Sequence, residues 1–204
     1  MNSVRIGIID SGVNADHPHV GGVAGGVWIR ESGDSEDYVD RLGHGTAVAA
    51  AIREKAPSAE IYAVKVFDRS LSTTGEILLR ALDWCLESGM QFINLSLGTL
   101  NEKYTESFLD RIRRAEGAGI RIVSAYERKG RMTLPGCLPG VVGVVLAPEC
   151  PRAEIVKTTR NGHLVCGASG FPRDIPGVPR ERNLQGISFA VANVTGFLAA
   201  GHNL

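Results

Sequence analysis

The 204-residue chain has no excess of either charge: Lys and Arg together number 22, and so do Asp and Glu. Holding nucleic acid or an anionic membrane takes a positive surface, and the chain as a whole supplies none. Neither is expected as a partner. The basic clusters "RIRR" (111–114) and "RKGR" (128–131) read as solvated faces. Long apolar runs are also missing. No segment approaches the roughly 18 residues of a membrane span, and the opening run "VRIGIID" is too short for a secretory leader. The chain begins almost directly with a strand, so if Met1 is the native start no pro-segment is expected either. Cysteine is scarce. Cys85, Cys137, Cys150 and Cys166 show neither a CxxC pair nor a His-linked spacing, so no metal site and no cofactor are expected. Without a leader, reduced thiols in the cytoplasm are the expectation, against a competing Cys137–Cys150 or Cys150–Cys166 bridge. There is no internal repeat and no low-complexity linker. With 44 % hydrophobic and 22 % charged residues, the chain reads as one domain over 1–204, with a core that needs no staple.

What is present is an alternation of strand and helix. "VRIGII" (4–9) and "EIYAVKVF" (60–67) read as strands, with the helix "GTAVAAAIREK" (45–55) between them. In "TTGEILLRALDWCLESG" (73–89), Ile77, Leu78, Ala81, Leu82, Cys85 and Leu86 lie on one helical face. Thr73 and Glu76 form a capping box there, and Gly89 closes the helix. "QFINLSLG" (91–98) is a strand and "KYTESFLDRIRRAEGAG" (103–119) an amphipathic helix. "IRIVSA" (120–125) and "VVGVVLA" (141–147) are strands apolar on both faces. Residues 148–183 hold five of the nine prolines and read as loop with short edge strand. "SFAVANVTGFLAAG" (188–201) is a buried helix. The fold class is therefore α/β: a mostly parallel sheet flanked by helices on both faces, in three layers.

In such a sheet, sites form beyond the carboxyl ends of the strands. Asp10 ends the first strand, His44 opens a buried helix, and Ser188 opens the last one. Glycines flank His44, and Gly186 stands two before Ser188, where close backbone approach is needed. A serine hydroxyl attacks a carbonyl only when a histidine takes its proton, and that histidine needs a carboxylate to orient it. Asp…His…Ser is one known order of that triad. Taken singly, Asp10 reads equally as a turn residue, His44 as a helix-start residue and Ser188 as an N-cap.

The surrounding motifs favour the triad. "IGIIDSGVNADHP", "GHGTAVAAAI" and "GISFAVANVTG" resemble the aspartate, histidine and serine motifs of the subtilisin-like serine proteases. "APSAEIYAVKVF", "FINLSLG" and "LPGCLPGVVGVVLA" extend the likeness over most of residues 4–200. The resemblance implies a seven-stranded, mostly parallel sheet and peptide hydrolysis through an acyl-enzyme. It makes Ser188 the nucleophile, His44 the general base and Asp10 the orienting carboxylate. It also implies that Ser96, Leu97 and Gly98 pair with the substrate backbone. Ser124, Ala125 and Tyr126 would line the other side of the specificity pocket, with Thr133 at its floor.

Two positions depart from the family pattern. Glu127 stands where the family has an asparagine that donates to the oxyanion, and Ile187 replaces the threonine before the serine. An ionised carboxylate donates nothing and repels an oxyanion. Three accounts follow: slow turnover with Arg128 or a protonated Glu127 as donor; a 126–133 loop completed by substrate or by an activating or substrate-presenting partner; or a dormant protein that only binds peptide. The acidic stretch "ESGDSEDYVD" (31–40) reads as a solvated loop over the site rather than a calcium loop. "GGVAGG" (21–26) is not G-x-G-x-x-G and lacks the strand–turn–helix setting of a nucleotide site. The expected protein is a narrow-specificity cytoplasmic endopeptidase that processes a peptide precursor.

Overall fold

The computed structural model describes residues 3–203. In chain order the elements are β1 (Arg5–Asp10), β2 (Gly25–Trp28), α1 (His44–Lys55), β3 (Glu60–Lys65), α2 (Gly75–Glu87) and β4 (Phe92–Leu95). Then come α3 (Thr105–Gly117), β5 (Arg121–Ala125), β6 (Glu127–Arg128), β7 (Arg131–Met132), β8 (Val141–Leu146), β9 (Ile155–Arg160), β10 (His163–Ala168) and α4 (Ile187–Ala199). Eight strands form one sheet in the order β2-β3-β1-β4-β5-β8-β10-β9, one more than the seven expected. All neighbours run parallel except β9 and β10.

Period-two alternation sorts each strand between two helical layers. Ile6 and Ile8 of β1 pack with Val48 and Ile52 of α1 and Phe189 of α4. Ile9 points the other way, into the cluster holding Leu78 and Leu82 of α2 and Phe108 and Ile112 of α3. From β5 onward, Val123, Ala125, Val144 and Cys166 rest on Val191 and Val194 of α4. Helix α1 is buried along most of its length, as its run of small apolar residues requires, because it lies against both the sheet and α4.

Two local readings need correction. The cap of α2 is Thr74, not Thr73: its hydroxyl accepts from Ile77 N, which leaves Glu76 outside a capping box. Residues 148–183 are mostly loop, but the strand within them is not a lone edge strand: β9 and β10 form a hairpin there. Asn161 and Gly162 take φ values of 47° and 80°, the positive pair that a type I′ turn needs. All five prolines of the region lie outside the two strands. β9 is a sheet edge bearing Lys157 and Arg160, whereas Val165, Cys166 and Ala168 of β10 are buried. All four cysteines are free thiols, so neither proposed bridge forms.

The chain moves from β1 to β3 on one side and later places β4 on the other. The sheet therefore has its topological switch between β1 and β4, where a crevice opens beyond the carboxyl ends. Asp10 ends β1 and Ser96 follows β4 at that crevice.

Candidate active site

Asp10 and His44 meet at the switch point. His44 Nδ1 donates to Asp10 Oδ1 at 2.7 Å, and the Ser11 amide donates to the same oxygen at 2.8 Å. Gly45 permits the approach: a Cβ there would sit 2.1 Å from the Gly12 carbonyl oxygen and 3.3 Å from Asp10 Cβ. Any side chain at position 45 pushes α1 off the end of β1. The Phe189 ring packs against the imidazole with centroids 5.4 Å apart, on the side opposite solvent.

Helix α1 begins on Gly43, which has φ 78° and no side chain to cap the first amides. Asp40 does that work from outside the helix. Its Oδ1 accepts from Ser11 Oγ (2.9 Å), Leu42 N (2.8 Å) and Gly43 N (2.9 Å). Its Oδ2 accepts from Thr46 N (2.9 Å) and Thr46 Oγ1 (2.6 Å). Ser11 Oγ in turn accepts from Gly45 N at 2.9 Å. One carboxylate thus ties the residue after Asp10 to the turn that carries His44. Behind it, the buried Lys65 ammonium donates to the Val39 carbonyl (2.9 Å), pairs with Asp68 (3.1 Å) and sits over the Trp28 ring. The acidic stretch is therefore built into the fold at its last residue. No group of three metal-ligating side chains occurs among the described residues.

Burial alone would push the His44 pKa down. The hydrogen bond and charge of Asp10, with the charge of Asp40, outweigh it and hold the value above the ordinary 6.5. Replacing Asp40 by Ala leaves five donors without their acceptor. Those amides and hydroxyls are partly reached by water, so the expected loss is about 2–3 kcal/mol of folding stability. In a chain of this size that is a fall in Tm of roughly 5–10 °C, read by calorimetry.

Ser188 lies in the first turn of α4, where backbone amides lack helical partners and can meet an anion. Its Oγ donates to the Ser96 carbonyl at 3.3 Å, and no hydrogen bond joins it to His44. Ser96 is held in turn by a buried polar ladder between β4 and α4. Asn94 Nδ2 donates to Ser96 Oγ (2.9 Å), and Thr195 Oγ1 donates to Asn94 Oδ1 (2.9 Å). Asn94 and Thr195 are wholly buried, so this ladder fixes the register of α4 against the sheet. Neither was singled out from sequence. Their signal is a polar residue in the middle of an otherwise apolar run.

The geometry at 96–98 and 124–133 is tight. A Cβ on Gly98 would lie 2.7 Å from the Leu134 carbonyl oxygen and 3.0 Å from Thr133 Cβ, while Thr99 and Leu134 exchange both backbone hydrogen bonds. Leu97 packs partly into the α2–α3 core. Ser124, Ala125 and Tyr126 are buried, so what they can offer a ligand is backbone rather than side chain. Ala125 rests on α4, and Tyr126 turns inward to Val145 and Val165. The Tyr126 hydroxyl donates to the Arg160 carbonyl at 3.2 Å. Thr133 is also buried, with its hydroxyl donating to the Ala125 carbonyl at 2.7 Å. Glu127 follows β5 after a bend at Tyr126 and belongs to a separate two-stranded sheet. Glu127 opens the β6–β7 hairpin opposite Met132 and is half-buried, with Arg128 exposed beside it. Among the described residues no ion pair engages the Glu127 carboxylate. Ile187 heads α4 and packs against the β5–β8–β10 cluster.

A model described as the subtilase family matches residues 1–201. The chain belongs to the subtilase family. Among curated relatives it is similar to a thermostable alkaline protease of Halalkalibacterium halodurans, 35 % identical over 159 residues, which cover 72 % of this chain and 42 % of that one. The minor extracellular protease Epr of Bacillus subtilis is 31 % identical over 170 residues, covering 77 % and 25 %. Subtilisin DY of Bacillus licheniformis is 31 % identical over 137 residues, covering 63 % and 48 %. This subtilase chain spans less than half the length of each of these relatives.

Proposed function

We propose that the chain is a serine endopeptidase, with Ser188 as nucleophile, His44 as general base and then acid, and Asp10 as the orienting carboxylate. The observation that carries this is the 2.7 Å contact between His44 Nδ1 and Asp10 Oδ1 at the head of a buried helix. It commits Nδ1 to the carboxylate and leaves Nε2 as the ring nitrogen able to take a proton. Rotation of Ser188 about χ1 releases its Oγ from the Ser96 carbonyl and turns it to that nitrogen, as apo sites often require. The oxygen then attacks the scissile carbonyl carbon while its proton passes to Nε2. Collapse of the adduct breaks the C–N bond, and the same proton goes to the leaving amine. Water repeats the sequence and frees the acid. The Ser188 amide faces the oxyanion. The 96–98 segment takes the acyl side of the substrate as an added strand, with Thr133 at the floor of the pocket beside it.

Within that class we read a narrow-specificity processing enzyme working where thiols stay reduced. The supports are four unpaired cysteines, the tight 98–133 contact and the carboxylate Glu127 at the position of the family's oxyanion asparagine. A partner that presents the substrate or reorders 126–133 fits this reading. No helix of the described residues is long and apolar enough to cross a membrane.

The test is labelling by a fluorophosphonate, read by intact mass. One adduct is expected, absent from Ser188→Ala. The labelling rate rises with pH through a midpoint above 6.5, because His44 must be neutral to accept the proton and its pKa is raised. No labelling of folded protein at any pH favours a second reading, a dormant peptide binder. Two observations point that way: the Glu127 carboxylate, and a Ser188 hydroxyl turned toward Ser96.

A further inference from the structure

We propose that the groove beside His44 receives the peptide downstream of the scissile bond, taking an apolar side chain with a carboxylate next to it. This rests on the protease reading above, in which His44 protonates the leaving nitrogen. The chain attached to that nitrogen must pass His44, on the side away from the 96–98 strand. What it meets there is the next stripe of α1: Gly43, Thr46, Ala47 and Ala50, at i, i+3, i+4 and i+7. That stripe is one wall of a cavity of about 470 Å³, within the usual range for ligand sites. Pro172, Ile175 and Leu184, from the connection between β10 and α4, form the facing wall. Leu184 lies only four residues before Ser188, so both walls run directly into the catalytic elements.

The chemistry of the walls selects the occupant. The helix side is small, so the bulk that fills the space must come from the ligand. The facing side leaves Ile175 and Leu184 44 % and 48 % exposed, apolar surface that an apolar side chain would cover. Asp40 also lines the cavity and keeps its negative charge, but both its oxygens already accept hydrogen bonds from the chain itself, so it has no free site for a ligand's donor. Arg173 is the opposite case. Among the described residues its guanidinium has no ion pair or hydrogen bond. His17 and His19 stand near it with ring centroids 5.3 Å apart. Desolvation, then the charge of Arg173, lowers the His19 pKa, which keeps that ring neutral at pH 7. Arg173 is thus the permanent cation of the lining and, unlike Asp40, has its hydrogen-bonding groups free for a ligand, which makes it the complement of a carboxylate beside an aliphatic side chain.

The test uses the Ser188→Ala chain, which binds without cutting, and fluorescein-labelled hexapeptides with a central Leu flanked by Asp, by Ser or by Lys. Fluorescence anisotropy should rank Asp above Ser above Lys, with about a tenfold or larger span in Kd. Arg173→Glu should reverse that order, and a gain for the Lys peptide cannot come from misfolding. Ala47→Trp, at a partly exposed position of the same wall, should weaken all three together by filling the cleft. Equal affinities for the three peptides, or an order that survives Arg173→Glu, overturns the assignment. Fluorophosphonate labelling of the unmutated chain separates the two proposals. If Ser188 takes no label while the ranking and its reversal hold, the groove stands as a peptide site and the protease reading falls alone.

Discussion

Ser188→Ala and His44→Ala each lower kcat/KM on a cleavable peptide by about 10⁶-fold, and the double variant falls no further; the size is that known for the same replacements in a subtilisin. The lack of additivity is the informative part. An unactivated serine is almost as inert as no serine, and a base without its nucleophile has nothing to deprotonate. Asp10→Asn falls less, by roughly 10⁴-fold, because the ring can still accept a proton once it reaches the right tautomer. In this chain two further supports hold the imidazole. Asp40 fixes the turn before it, and Phe189 packs on its face. Asp10→Asn should therefore lose turnover while keeping most of its Tm, whereas Asp40→Ala loses Tm first. Steady-state kinetics and calorimetry on the same preparations distinguish the two. Two single variants whose losses multiply would mean that Ser188 and His44 do not act as a unit, and the proposed proton transfer would fail.

The parts of this site legible in the sequence were those written in local chemistry. A strand ending in aspartate, a histidine between glycines and a serine opening an apolar helix each leave a signature, and Gly45 explains why the second is needed. Parallel topology followed from strands apolar on both faces. The illegible parts are long-range. The Asn94–Ser96–Thr195 ladder spans about a hundred residues of chain, and no spacing rule reaches that far. The resemblance places Tyr126 at the pocket, yet its side chain is buried beside Val145 and Val165. Asp40 lay between these extremes. A helix starting on glycine has no side-chain cap, so its free amides need an acceptor from elsewhere, and the nearest acidic residue upstream was the one to choose. At 155–168 the prolines of the region point to loop and edge strand, whereas the Asn161–Gly162 pair is the local signal for the hairpin that forms.

Glu127→Asn raises kcat by about 10²-fold or more with little change in KM, the mirror image of what removing such a donor costs a subtilisin. The reason lies in when the charge appears. A substrate carbonyl is neutral on binding, so a nearby carboxylate hardly alters KM. The oxygen gains a full negative charge only as Ser188 Oγ attacks, and a carboxylate in the place of the family's asparagine opposes it at that moment. Glu127 is suited to this because no ion pair among the described residues neutralises it and the neighbouring Arg128 is exposed to solvent. Asparagine removes the repulsion and adds an N–H donor, whereas Glu127→Gln removes only the charge and places its amide one methylene too far. Ordering the three as Asn, Gln, Glu from fastest to slowest therefore separates repulsion from missing donation. Should Glu127→Asn instead lose turnover, the carboxylate itself must be serving the substrate, either protonated as the donor or as a contact that closes the 126–133 hairpin. Glu127→Gln decides between these, since its amide can still donate from the place of the carboxyl: turnover survives if donation is what matters and falls if the charged contact does.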